Sequence, residues 1–228
     1  MSAMSDDLLV VLAHSKASDA LARHWPWLLK GECDILGVGR EDTTTIWPAE
    51  KGQDNFIGEI RVGAESYASG QNHITRYLDV LRWCTDHVAH QRFCVIEYDC
   101  LIFKPLSLVA FKPGLLTTCA GGRSEGFRGS LFFHTPWWCD RTTACDIMRY
   151  GGRMLRAGLD ERGFLDRWLG LLADLYDLRV QDFVDFWYTQ NTIDTPEKIA
   201  EARRAIIAGA WGLHGCKTAA QLEAITRG

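Results

Sequence analysis

The sequence predicts an α/β fold built on a mixed, mainly parallel sheet flanked by helices. In the first half of the chain, short apolar runs that read as buried strands alternate with amphipathic stretches, the order that builds parallel sheets. One run, Phe93 to Phe103, is apolar almost throughout, as a strand covered on both faces must be. The length of 228 residues, 47% of them hydrophobic, suffices for one domain with a substantial core. No repeat, low-complexity tract or linker divides it, so residues 1–228 are expected to form a single domain.

Leu8 to Ala13 reads as the first buried strand and His14-Ser15-Lys16 as the turn after it. Residues 17–29 pattern as a helix ending near Gly31, and Cys33 to Val38 as a second strand. Residues 39–69 hold Gly, Pro, Thr and Ser with weak periodicity and read mostly as loop. From Asn72, the apolar positions Ile74, Tyr77, Leu78, Leu81 and Val88 recur at helical spacing and lead into the Phe93–Phe103 strand. Gly114 to Cys119 and Ser130 to His134 read as strands around a Gly- and Arg-rich loop, with Pro136-Trp137-Trp138 in a further loop. Phe164, Leu165, Trp168, Leu169, Leu172, Leu175 and Tyr176 mark an amphipathic helix. Thr195-Pro196-Glu197 is a helix start with proline at the first helical position. Ala210 to Leu213 reads as a last short strand, and Thr218-Ala219-Ala220-Gln221 has the form of a capping box.

A formal charge of −4 offers no electrostatic footprint for nucleic acid, so none is expected as a partner. No apolar stretch approaches the roughly 20 residues needed to cross a bilayer. The acidic start, Met1 to Asp7, does not read as a secretory signal. Eight cysteines fall without any C-x-x-C pair, several of them inside apolar runs, where a thiol acts as a small hydrophobe. They are expected to be reduced and structural, which fits a cytoplasmic location.

Two carboxylates, Glu97 and Asp99, interrupt the Phe93–Phe103 run one residue apart. In a strand they would project to one face, with Tyr98 on the other. An ionised carboxylate in an apolar interior costs several kcal/mol unless it is paired or meets a cation. A hard divalent ion, Mn²⁺ or Mg²⁺, would satisfy both acids; otherwise the strand ends at Ile96 and the acids face water. Trp211-Gly212-Leu213-His214-Gly215-Cys216-Lys217 sets an imidazole and an ammonium three residues apart beside two glycines. His214 could complete a metal shell begun by Asp99, and Lys217 could reach a phosphate oxygen. Other chemistries find no motif. Gly37-Val38-Gly39-Arg40 lacks the third glycine of a dinucleotide fingerprint, and neither a P-loop nor a G-x-S-x-G elbow occurs.

Taken in order, these segments resemble a GT-A glycosyltransferase. The resemblance rests on a strand ending in His14-Ser15, a helix carrying Gly70 and Arg76, an apolar strand ending in Glu97-Tyr98-Asp99, and the late His214-Gly215-Cys216-Lys217. The family's metal motif is D-x-D; here it is an E-x-D variant, so Glu97 either joins the metal or binds sugar or ribose hydroxyls, while Asp99 is the ligand. The resemblance implies a Rossmann-like nucleotide-sugar-binding half over residues 1–105 and a smaller acceptor half over 106–228. It implies His214 as the late metal ligand and Lys217 at the diphosphate. By the same pattern His14 and Ser15 line the nucleotide, Asp42 accepts from base or ribose, and Arg76 contacts donor sugar or phosphate. The implied activity is transfer of a sugar from a nucleotide diphosphate sugar, UDP-linked by the family pattern, to a glycan hydroxyl.

The acceptor half is less legible. Nine tryptophans suit sugar stacking, with Trp137, Trp138 and Trp187 the candidates, whereas Trp83 and Trp168 read as core. An inverting reaction needs a carboxylate base. Asp182 is the first candidate, followed by Asp140 and Glu125; a retaining reaction needs none of them. Two other classes compete: a sugar nucleotidyltransferase, and a non-catalytic carbohydrate- or nucleotide-sugar-binding module. The first should carry a glycine-rich basic loop after the first strand, where His14-Ser15-Lys16 has no glycine.

Overall fold

A computed structural model of the chain describes residues 6–12, 21, 24, 33–39, 55–62, 70–106, 110–120, 132–159, 165–182, 187–190 and 192–227. The first strand, β1 (Asp7–Leu12), lies inside a seven-stranded sheet. Parallel neighbours flank it, β2 (Asp34–Gly39) on one side and β4 (Arg92–Glu97) on the other. Its side chains are all buried because both faces are covered. Leu8, Val10 and Leu12 enter one core, and Leu9 and Val11 the other. Burying a side chain of this size stabilises by roughly 1.5–3 kcal/mol, so an unbroken apolar run is what a central strand requires.

The sheet continues outward from β2 to β3 (Phe56–Arg61) and from β4 through β7 (Phe132–Asp140) and β6 (Leu115–Ala120) to β8 (Val180–Asp182). Only β7 runs against the others, pairing antiparallel with both β4 and β6. A second, three-stranded sheet joins β5 (Cys100–Ile102), β10 (Gly212–His214) and β9 (Trp187–Thr189). Among the described residues, five helices flank the sheets: α1 (Gly70–His87), α2 (Arg141–Arg156), α3 (Leu165–Tyr176), α4 (Pro196–Ile207) and α5 (Ala219–Thr226). The first three pack into the core with Val10 and Val95; the last two pack into the core with Val11 and Ile96. None of the described helices is long and apolar enough to cross a membrane.

Several expectations are corrected. Residues 39–69 are not all loop, since β3 lies among them. An edge strand with half-exposed side chains leaves little apolar alternation to read, and its parallel ladder with β2 is made by backbone. The strand expected to end at His134 runs on to Asp140, carrying Trp137 and Trp138 out of the loop assigned to them. Proline is disfavoured inside a sheet because it lacks a donor. Here Pro136 falls where the β6–β7 ladder slips, between Leu116↔Trp138 and Thr118↔His134, so no ladder bond is forfeited. Trp137 and Trp138 are then core residues: both are buried, and the Trp137 Nε1 donates to the Phe133 carbonyl at 2.7 Å. The last strand is Gly212–His214, starting two residues and ending one residue later than expected. The helix expected over residues 17–29 is described only at Leu21 and His24, both helical.

Local signals act where expected. Thr195 caps α4 with Pro196 at its first turn, and the capping box of Thr218 and Gln221 opens α5. At α2, Gly151 lets the helix approach α3: a Cβ there would stand 2.6 Å from the Trp168 ring. Arg141 donates to the carbonyls of Thr85, Val88 and His90, satisfying groups at and beyond the end of α1. Cys33, Cys84, Cys94, Cys100, Cys139, Cys145 and Cys216 are free thiols.

Candidate functional site at the sheet edge

The E-Y-D segment differs in detail from the expected strand. β4 ends at Glu97, and Tyr98-Asp99 turn into β5. The two acids are nonetheless drawn to one place by β10. It pairs antiparallel with β5, putting His214 opposite Cys100. The Cys216 N–H donates to the Asp99 carbonyl at 3.2 Å, and Gly215 takes φ +94°, which favours glycine. Backbone pairing thus brings together two segments far apart in the sequence.

His214 Nε2 lies 3.3 Å from Glu97 Oε2 and 3.5 Å from Asp99 Oδ1. Lys217 Nζ stands 3.8 Å from Asp99 Oδ2. The Asp99 side chain is 5% exposed and that of Lys217 42%, so the carboxylate is sheltered while the ammonium reaches solvent. The Lys217 N–H and the Thr218 N–H both donate to Gln221 Oε1, so the α5 cap also holds the lysine in place. Burial, reinforced by the Glu97 charge, raises the Asp99 pKa against the pull of His214 and Lys217. For His214, burial lowers the pKa, but the Glu97 hydrogen bond and the charges of Glu97, Asp99 and Asp166 outweigh it, and the net shift is upward.

A small cluster of metal-ligating side chains lies here. Among the described residues, Asp99, Cys100 and His214 bring their ligand atoms within 4.8 Å of one another, and Glu97 is not part of that group. Cys100 is a poor ligand for a hard ion. Burial pushes its thiol pKa far up, and its Sγ lies 3.6 Å from Thr135 Oγ1. Asp99 and His214 therefore form the centre of the candidate site, with Glu97 beside them.

The remaining sequence candidates divide. Arg76 reaches the same edge of the sheet, but it is buried and its Nη donates to the Val38 carbonyl near the end of β2 at 2.9 Å. Asp182 ends β8 beside Thr117, at the same edge as the acids and farther out in the sheet. Asp140 is not brought to the site. It pairs with Arg92 at the start of β4, the opposite edge, and caps α2 by accepting from the Thr143 N–H at 3.0 Å. Its carboxyl is half-buried, which raises the pKa, but bonds from Thr143 and Gly114 prevail and hold it below the ordinary value. A groove of about 680 Å³ opens at that edge; of the charged groups lining it, Asp140 is engaged in the cap, Arg141 on carbonyls and Arg92 on Asp7. His14, Ser15, Asp42 and Glu125 lie outside the described residues, as does the side chain of Trp187.

Three residues that the sequence did not mark as site candidates lie toward this edge. The charges of Glu97, Arg76 and Asp166 all act on His73, on α1. His134, on β7, lies with Nδ1 3.3 Å from Asp166 Oδ2, at the start of α3. His73 stands one helical turn before Arg76, a spacing that could have flagged it. Nothing local links His134 to Asp166. No protein-family model matches the chain, and no curated protein matches it.

Proposed function

We propose that the protein is a metal-dependent glycosyltransferase of the GT-A type, moving a sugar from a nucleotide diphosphate sugar to a glycan hydroxyl, with UDP the favoured nucleotide. The observation that carries this reading is the convergence of Glu97, Asp99, His214 and Lys217 at the end of β4. The mixed, mainly parallel sheet supports it at the level of architecture, since ligands of open α/β sheets bind beyond the carboxyl ends of the strands.

Bound there, Mn²⁺ or Mg²⁺ would supply Lewis-acid charge to the leaving diphosphate. Asp99 and His214 would hold the ion, and Cys100 stays a neutral thiol behind them. Lys217 places a solvent-accessible ammonium next to Asp99, where it can meet phosphate oxygens. Glu97 accepts from sugar or ribose hydroxyls or joins the ion. Because the His214 pKa is raised, its Nε2 carries a proton up to a higher pH than a free imidazole. Metal affinity should therefore fall as pH falls through that value, and uptake should release a proton.

Thermal shift with UDP, GDP and their sugars, with and without Mn²⁺, tests the assignment. A nucleoside diphosphate at 100 times its Kd should stabilise by about 2.7 kcal/mol, roughly 5–10 °C, only when the metal is present. Stabilisation by free sugar without metal would favour a binding module instead. Release of pyrophosphate from a nucleoside triphosphate and a sugar phosphate would favour the nucleotidyltransferase.

A further inference from the structure

We propose that His134 and Asp166 are the acid–base pair that deprotonates the acceptor hydroxyl, so that transfer inverts the anomeric carbon; this rests on the glycosyl-transfer reading above. Because β7 runs against its neighbours, its early residues lie at the edge where β4 ends. The β4–β7 ladder climbs from Arg92↔Asp140 to Val95↔Trp137, leaving His134 farther along toward Glu97. Two contacts fix that part of β7. Thr117 Oγ1 donates to the His134 carbonyl at 2.7 Å, and Thr135 meets Cys100, the neighbour of Asp99.

The two side chains are built as a pair. His134 Nδ1 lies 3.3 Å from Asp166 Oδ2, and the side chains are 22% and 26% exposed, open enough to meet a substrate. The Asp166 charge also acts on His214 and His73, so the pair shares one electrostatic environment with the carboxylate cluster. Of the other acids, Asp182 stands farther out in the sheet, at the end of β8. Glu97 and Asp99 already share His214, and Asp140 is engaged at the far edge. A carboxylate on Nδ1 fixes the tautomer that leaves Nε2 basic and stabilises the imidazolium once it forms.

In the step, the acceptor O–H bond breaks and its proton passes to His134 Nε2. The acceptor oxygen bonds to the anomeric carbon as that carbon's bond to the diphosphate oxygen breaks. The electron pair departs on the diphosphate beside Lys217. The imidazolium, balanced by Asp166, returns its proton to water. Attack from the face opposite the leaving group inverts the centre. His134 is the catalytic residue, and Asp166 is a positioning residue.

The test measures UDP release from UDP-glucose, UDP-galactose and UDP-N-acetylglucosamine in Mn²⁺, with water as acceptor, and reads the freed sugar's anomeric form by NMR. Wild type should release the β-anomer from these α-linked donors. His134→Gln should lower kcat by roughly 10²–10⁴-fold while keeping the Mn²⁺-dependent stabilisation by UDP, which also shows that it folds. Asp166→Asn, at a half-buried helix start, should lower kcat with KM unchanged. Wild-type turnover in either variant, or release of the α-anomer, overturns the pair's role while the transferase reading stands. If the wild-type protein neither binds UDP with Mn²⁺ nor turns over any donor, the reading itself falls and the pair's role with it.

Discussion

Asp99→Asn is expected to weaken Mn²⁺-dependent nucleotide binding by more than about 100-fold and to remove turnover. Loss of a supporting residue around a metal typically costs 10–100-fold, and loss of a ligand should cost more. The substitution keeps the shape of the side chain but withdraws the charge that faces both His214 and Lys217. The fold should survive, because the contact that ties this turn to β10 uses the Asp99 backbone carbonyl and the Cys216 N–H. His214→Ala should weaken binding by a smaller factor. Calorimetric titration of chelator-stripped protein with Mn²⁺ and UDP reads both. Wild-type affinity in the Asp99 variant would remove the carboxylate from the site.

The second large effect is on stability. Trp137→Ala is expected to cost about 3–5 kcal/mol, which lowers Tm by roughly 6–20 °C, with nucleotide binding retained in the folded fraction. Trp137 is buried in the core, edge-on to Tyr77 with ring centroids 5.8 Å apart, and its indole N–H is satisfied. Trp138 offers a contrast within the same strand. Its Nε1 is buried without a partner, so Trp138→Phe removes an unmet donor and should cost far less than Trp138→Ala. Were these rings a sugar-stacking platform, alanine would leave Tm nearly unchanged and weaken only glycan binding. Thermal and urea unfolding of the variants separates the two outcomes.

What could be read from the sequence follows from how far each signal reaches. β1 and β4 were legible because a strand buried on both faces must be apolar at every position. The α4 and α5 starts were legible because a cap is made within four residues. β3 was hidden because an edge strand is held by backbone bonds that leave little side-chain pattern. β7 was hidden because the rule against proline in sheets takes no account of a ladder that slips at that residue.

The site was legible in the same uneven way. Two acids one residue apart in an apolar run marked Glu97 and Asp99, and the antiparallel pairing of β5 with β10 explains why the late His214 and Lys217 join them. Asp140 showed the limit: an acid next to a strand reads alike whether it caps a helix or meets a substrate. The strand's direction, which single-sequence pattern does not supply, puts Asp140 at one edge and His134 at the other.

The most direct measurement is anomalous diffraction at the manganese edge from crystals grown with MnCl₂ and UDP. The account predicts a manganese peak bonded to an Asp99 carboxylate oxygen and His214 Nε2, with the UDP diphosphate on the ion and near Lys217. A nucleotide bound elsewhere, or no manganese between Asp99 and His214, would contradict it.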